Sequence, residues 1–158
     1  SFYNICMKSK GWQHLGKGEA KTTQMIANTT LNTAQANRNQ CMQQVREKPE
    51  YNTLSRRLPD AYAARFSFAQ MASNETPTAL DAIALETYFP AVEECHQHYM
   101  ESVQPLLTLE DAKIFQQRDV EKNLNASELT RRKITYGEYS TRENQSIDNT
   151  KIKLMHTP

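Results

Sequence analysis

Three cysteines and two closely spaced histidines are the residues of this chain best suited to do chemistry. The cysteines are Cys6, Cys41 and Cys95, and His96 and His98 follow the last of them. A cysteine can form a disulfide, bind zinc or act as a nucleophile, and histidine is a common metal ligand. The chemistry to be weighed is therefore covalent cross-linking, metal binding and thiol catalysis.

The metal-site interpretation is weak because His96 and His98 are two residues apart. On a helix these positions point about 200° apart, so the two side chains do not bind one ion together. Cys95 and His98 share a helical face, but His14 or His156 would have to complete a zinc site. No Cys-x-x-Cys pair occurs. We interpret both histidines as surface residues beside a buried cysteine, and we predict no cofactor.

Acid–base and nucleophilic catalysis also lack a recognisable pattern. The adjacent carboxylates Glu93–Glu94 and Glu110–Asp111 diverge on a helix and suit a solvated face or a first helical turn. The sequence contains no Gly-x-Ser-x-Gly, phosphate loop or His-Glu-x-x-His motif. A nucleophilic Cys6 would need neighbours that depress its pKa. We therefore predict that the protein is not an enzyme.

The composition indicates a helical protein without a strong electrostatic field. The chain has 158 residues, with 19 basic and 18 acidic side chains and a formal charge of +1, which excludes strong attraction to nucleic acid or an anionic membrane. Only 4 glycines and 6 prolines occur, too few for a turn-rich sandwich. No apolar run is long enough to span a bilayer.

Two helices with apolar faces must position the cysteines. The first covers about residues 19–48 and ends before Pro49, and the second covers residues 78–103, where Thr78 and Asp81 resemble a capping box. Apolar residues recur at steps of three or four on both, which is typical of a buried helical face. On the first these residues are Leu31, Ala34, Cys41 and Val45, and on the second Leu80, Ala84, Tyr88, Ala91, Cys95, Tyr99 and Val103.

The remaining segments complete an all-α fold. Weaker helices are predicted at residues 3–10, 50–58, 61–73, 109–132 and 138–147. The apolar stripe of the 109–132 helix comprises Leu109, Ala112, Phe115, Val120, Leu124 and Leu129. We predict an irregular bundle of about four to six helices over residues 19–147. It is preceded by an N-terminal arm and glycine-rich joint at 1–18 and followed by a mobile tail at 148–158.

The placement of Cys41 and Cys95 on two apolar faces predicts a disulfide that staples the bundle. Such a bridge would close a loop of roughly 50 residues and stabilise the fold by about 4 kcal/mol. The alternative is that both are buried free thiols, which behave as small hydrophobic residues. Cys6 pairs with one of them or stays reduced. A lasting disulfide indicates an oxidising compartment.

Several short segments resemble uncharacterised small proteobacterial periplasmic or outer-membrane lipoproteins. They are Phe2-Tyr3 with Cys6-Met7-Lys8-Ser9-Lys10-Gly11-Trp12, Cys41 with Pro49-Glu50-Tyr51 and Leu54, Pro77-Thr78 with Asp81 and Cys95, and Ile134-Thr135-Tyr136-Gly137-Glu138-Tyr139. The resemblance implies a signal peptide, and a lipid anchor upstream of Ser1 as the sole membrane attachment. It carries over no catalytic residue. The abrupt start at Ser1 is expected of a processed protein from which a targeting segment has been removed, or of a chain that has been trimmed.

These observations predict a non-enzymatic bacterial envelope protein that binds another envelope protein. Phe2, Tyr3 and Trp12 in the arm are the type of side chain that anchors interfaces. Their alternative role is to cover the core of the bundle itself. Two other functions stay open at this point: a periplasmic inhibitor or scavenger similar to lysozyme inhibitors, and a metal- or haem-binding helical protein using His96, His98 or His14.

Overall fold

The computed structural model describes residues 19–59 and 64–157, with side chains described from Thr23 onward. In the described part, helices are connected by turns and loops and no strand occurs, which confirms the all-α prediction. Its α-helices are α1 (Glu19–Arg46), α2 (Phe68–Met71), α3 (Ala79–Val103), α4 (Leu109–Thr130) and α5 (Tyr136–Met155). The predicted arm at 1–18, with its short helix at 3–10, and residues 60–63 lie outside the described residues.

Helices α1 and α3 pack side by side in opposite directions and are joined covalently. Cys41 and Cys95 form a disulfide with their Cα atoms 5.7 Å apart, as predicted. Leu31, which precedes Cys41 in α1, packs in the same cluster as Val103, which follows Cys95 in α3. The two helices are therefore antiparallel. Cys95 is fully buried and Cys41 is half-buried.

Four helices begin with the same local device, a capping box. The side chain of a Ser or Thr at the N-cap accepts a hydrogen bond from the backbone amide of the residue three positions later. The side chain of that later residue accepts a hydrogen bond from the backbone amide of the N-cap residue. The pairs are Ser67–Gln70, Thr78–Asp81, Thr108–Asp111 and Thr135–Glu138. Because each box satisfies amides that the helix leaves unbonded, these residues fix where α2 to α5 begin.

The core consists of two apolar clusters. The larger joins α1, residues 51–58, Phe66, α3, the end of α4 and α5, and its largest members are Tyr51, Leu54, Leu58, Phe66, Leu85, Tyr88, Leu129, Tyr136 and Tyr139. Aromatic pairs within it meet edge to face, for example Phe66 and Tyr139 with ring centroids 5.7 Å apart. The smaller cluster comprises Leu31, Ala34, Tyr99 and Val103.

Helix α5 is longer than predicted. We expected it to end near residue 147 and a mobile tail to follow at 148–158, but the helix continues to Met155. Leu154 is buried, and the Thr157 hydroxyl donates to the Asp111 carboxylate at 3.2 Å. These contacts join the last turns of α5 to the start of α4. The predicted end of the helix near residue 147 was therefore wrong.

The predicted helix at 61–73 was also wrong over residues 64–67. Among the described residues of this range, 64–73, only Phe68–Met71 is helical. The Phe66 amide donates to the side chain of Asn144 at 2.8 Å, and Asn144 donates back to the Phe66 carbonyl at 3.1 Å. These two bonds from α5 replace the backbone bonds that a helix would have made at Phe66. In the 50–58 segment, a 3-10 turn at Pro49–Tyr51 continues into irregular turns.

The apolar stripe predicted for the 109–132 helix was wrong at three of its six positions, whereas Leu129 is buried and Ala112 and Phe115 are half-buried. Leu109, Val120 and Leu124 are 74%, 64% and 60% exposed on the outer face of α4. The inward face carries Asp111, Arg118 and Asn125 instead, together with Leu129. These polar groups are buried because they have hydrogen-bonding partners on α5 and at its end.

Candidate functional site

An open groove of about 400 Å³ lies between helices α3 and α4. Its floor is apolar and is formed by the half-buried side chains of Met100, Leu107, Ala112 and Phe115. Its rim is polar and comprises Glu93, Gln97, Glu101, Gln104, Gln116 and Asp119, with His96 below. Among the described residues that line it there are three carboxylates and no Lys or Arg. The groove is thus an acidic surface on a protein of near-zero net charge.

The sequence between the two helices sets the position of the groove. Helix α3 ends at Val103, a 3-10 turn at Gln104–Leu106 contains Pro105, and Leu107 is extended before the Thr108 cap of α4. This short connection keeps the ends of α3 and α4 close to each other. Met100, Leu107 and Phe115 pack at the edge of the smaller core cluster, and each of them is half-buried.

One end of the groove is closed by a charged cluster that joins α3 to α4. His96 Nε2 lies 3.1 Å from the Asp119 carboxylate, and Lys122 Nζ lies 3.3 Å from the same carboxylate. Lys122 also donates to Glu93. The single lysine therefore bridges two acids on different helices, and the acids at this end are partly neutralised.

The electrostatics of the cluster keep His96 neutral and Asp119 ionised. Burial lowers the pKa of His96, and the hydrogen bond to Asp119 opposes that effect without reversing it. Burial alone would raise the pKa of Asp119, but the bond from His96 and the charge of Lys122 outweigh burial and lower it. Because a carboxylate only accepts hydrogen bonds, the neutral imidazole carries its proton on Nε2 and donates it to Asp119.

The two candidate histidines lie in different surroundings. His96 is only 3% exposed, so its assignment as a surface residue was wrong: the Asp119 bond satisfies a ring nitrogen inside the protein. His98 is exposed, within 3.9 Å of Glu94 and 3.8 Å of Glu101. The two rings do not converge, as their spacing predicted. In the described part of the chain no three His, Cys, Asp or Glu side chains are grouped as metal ligands.

A smaller, partly open pocket of about 80 Å³ is lined by residues of α1, α3, α4 and α5. Most of its lining is apolar, including Met42, Phe89, Val92 and Tyr139. Arg118 and Glu143 stand at one wall and form a two-point ion pair at 3.2 and 2.9 Å, to which Asn125 adds a bond at 2.9 Å. Because the two charges pair with each other, we assign Arg118 and Glu143 a structural role in joining α4 to α5.

A second polar cluster surrounds the start of α3 and serves its cap. Arg57 contacts Asp81 at 3.1 Å and also pairs with Glu75. Burial opposes ionisation of Asp81, but bonds from Thr78 and Thr53 outweigh it and lower its pKa. Burial raises the pKa of the neighbouring Tyr136 to about 12, with the charge of Asp81 acting in the same direction. The cluster joins the 57–81 segment to the first turn of α5.

The candidate interaction residues Phe2, Tyr3 and Trp12 lie outside the described residues, whereas the structure confirms Cys41 and Cys95 as the disulfide. Sequence reasoning missed the groove. Glu93 and Glu94 do diverge, as predicted, and Glu93 turns inward to Lys122 while Glu94 stays exposed. The sequence signal that was available was the position of Leu107 before, and Phe115 after, the Thr108 capping pattern.

No described helix combines the length and apolar content needed to cross a membrane. No protein-family model, curated protein or solved structure matches the chain.

Proposed function

We propose that this protein is a non-enzymatic binding module of an oxidising extracytoplasmic compartment, and that it binds another protein through the groove between α3 and α4. The observation that carries the proposal is the composition of the groove, a rim of carboxylates and glutamines around an apolar floor. Interfaces combine an apolar centre with a polar rim in this way.

The compartment is proposed from the Cys41–Cys95 disulfide. Structural disulfides persist where the redox environment is oxidising and are rare in cytosolic proteins. The resemblance of the N- and C-terminal segments to small proteobacterial envelope proteins supports a bacterial periplasm or outer-membrane surface. The partner we propose is accordingly another envelope protein.

The charge of the groove indicates the chemistry of the partner. Three carboxylates line it. Two of them, Glu93 and Asp119, share Lys122, whereas Glu101 has a side chain that is 75% exposed and offers the accessible negative charge. A partner segment with Lys or Arg beside aromatic or aliphatic side chains would pair with the rim and cover Met100 and Phe115. Complementary charge of this kind mainly accelerates association and selects the partner.

Affinity capture from bacterial envelope extracts tests the proposal with three baits: the wild-type chain, Glu101→Lys and Glu94→Lys. Glu94 is the matched control because it is on the same helix, has the same side-chain exposure of 75% and does not line the groove. We expect a partner, identified by mass spectrometry and re-tested as pure protein, to bind wild type and Glu94→Lys but to lose affinity for Glu101→Lys. Equal binding to all three baits would contradict use of the groove.

A further inference from the structure

We propose that residues 1–18 of this same chain occupy the groove between α3 and α4 when no partner is bound. The inference does not depend on the proposed function, because it concerns the isolated protein. It follows from three properties: the charge of the groove, the composition of the segment, and the point at which the segment joins α1.

The first property is the charge of the two surfaces. The segment contains Lys8, Lys10 and Lys17 and no acidic residue. The groove is lined by Glu93, Glu101 and Asp119. Glu93 and Asp119 share the single positive charge of Lys122, so the acidic excess is two charges and Glu101 is its exposed member. Since the whole chain carries a formal charge of only +1, this separation of basic and acidic residues is local, and it favours association of the two regions.

The second property is the apolar content of the segment. Its larger apolar side chains are Phe2, Tyr3, Ile5, Met7, Trp12 and Leu15. The floor of the groove offers Met100, Leu107 and Phe115 as half-buried contact surface. Aromatic side chains that cover such a floor remove apolar area from water on both sides of the contact, which stabilises the docked arrangement.

The third property is the point of attachment. Leu31 of α1 packs in the cluster whose edge includes Leu107 and Phe115, so α1 runs past this end of the groove. Helix α1 begins at Glu19, which at the usual helical rise is about 18 Å along the axis from Leu31. An extended chain of 18 residues spans up to about 60 Å. The segment is therefore long enough to return to the groove from the start of α1.

The fluorescence of Trp12 tests the proposal directly, because Trp12 is the single tryptophan of the chain. We expect the emission of the wild-type full-length protein to be blue-shifted relative to the urea-denatured chain and poorly quenched by acrylamide. Two variants place a positive charge in the groove, Glu101→Lys and Gln97→Lys, both at exposed positions. Each should shift the Trp12 emission to the red and increase acrylamide quenching, while the helical circular-dichroism signal is retained.

Two controls separate this inference from its alternatives. Glu94→Lys changes the charge equally but lies outside the groove lining, so Trp12 emission should stay at the wild-type value. Raised salt should also shift the Trp12 emission to the red and increase acrylamide quenching, because screening weakens pairing between exposed charges.

Three results would overturn the inference. One is wild-type emission equal to that of the denatured chain. Another is a blue-shifted emission that neither groove variant changes, which would place Trp12 elsewhere. The last is a blue shift that disappears on dilution together with a change in molecular mass, which would place the segment in the groove of a second copy. None of these readouts uses a partner protein, so their failure is distinct from failure of the proposed function.

Discussion

Arg118 of α4 and Glu143 of α5 form a buried two-point ion pair, with side chains 10% and 6% exposed. Removing one member leaves the other charge without its partner inside the protein. We expect Glu143→Leu or Arg118→Met alone to lower the free energy of unfolding by about 3–5 kcal/mol. Urea unfolding followed by circular dichroism measures this change.

The double variant Arg118→Met with Glu143→Leu is the matching test of that explanation. Apolar side chains of similar size remove both charges together, so stability should recover most of the loss. Asn125 then loses its Glu143 partner, and recovery should be incomplete for that reason. A double variant as unstable as the sum of the two single variants would contradict the pairing argument.

The disulfide between Cys41 and Cys95 joins residues 54 positions apart. Its reduction should destabilise the fold by about 4 kcal/mol, because the unfolded chain regains the entropy of the open loop. Chemical unfolding with and without a reductant checks the magnitude. Thiol titration of the denatured, unreduced chain should find no more than one thiol per molecule, that of Cys6, and three thiols would contradict the bridge.

Gly137 at the start of α5 lies against the backbone of the 71–75 segment. A Cβ atom built there would be 2.2 Å from the Ser73 carbonyl oxygen and 2.5 Å from that of Met71. Both contacts are with backbone, which cannot rotate away, so Gly137→Ala should destabilise by about 1–3 kcal/mol. Helix propensity alone predicts stabilisation by about 1 kcal/mol, so the sign of the change is decisive. Thermal unfolding measures it, with the exposed Thr141→Ala as control.

The buried His96 predicts a loss of stability on mild acidification. Its pKa is lowered in the folded protein, first by burial, so the unfolded chain binds the proton more readily. Stability is therefore complete above the ordinary histidine pKa of about 6.5 and decreases as pH falls below it. His96→Gln should remove this part of the pH dependence, whatever its effect on stability at neutral pH. His98→Gln, at an exposed site, is the control and should retain the pH dependence. Urea unfolding at a series of pH values from about 7.5 to 5.5, which brackets the ordinary histidine pKa, measures both variants.

Helices α1 and α3 were predictable because their apolar residues follow the helical period and Thr78 marks a start. Their stripes also placed Cys41 and Cys95 on facing sides, and the disulfide followed from that. The capping pattern at Thr108 similarly located the start of α4. In these elements the local sequence and the tertiary packing favour the same arrangement.

Helix α4 shows where the same reasoning fails. Its buried face carries Asp111, Arg118 and Asn125, and a search for apolar periodicity assigns those positions to solvent. They are buried because Glu143 and Thr157, distant in sequence, provide their partners. Likewise, His96 is buried with a hydrogen bond to Asp119, and the residues near His96 in the sequence do not predict that bond. Long-range polar pairing is not encoded in any short window of residues.

The attachment of α5 to the 71–75 segment has a consequence for the order of assembly. The Tyr136 and Gly137 amides donate to the Glu75 and Ser73 carbonyls at 2.8 and 3.1 Å, so the last helix completes bonds that the middle of the chain leaves open. The disulfide, by contrast, requires no residue beyond Cys95. During synthesis from the N-terminus, the covalent link can therefore form early, whereas the core around Tyr136 and Tyr139 closes only after the final helix has emerged.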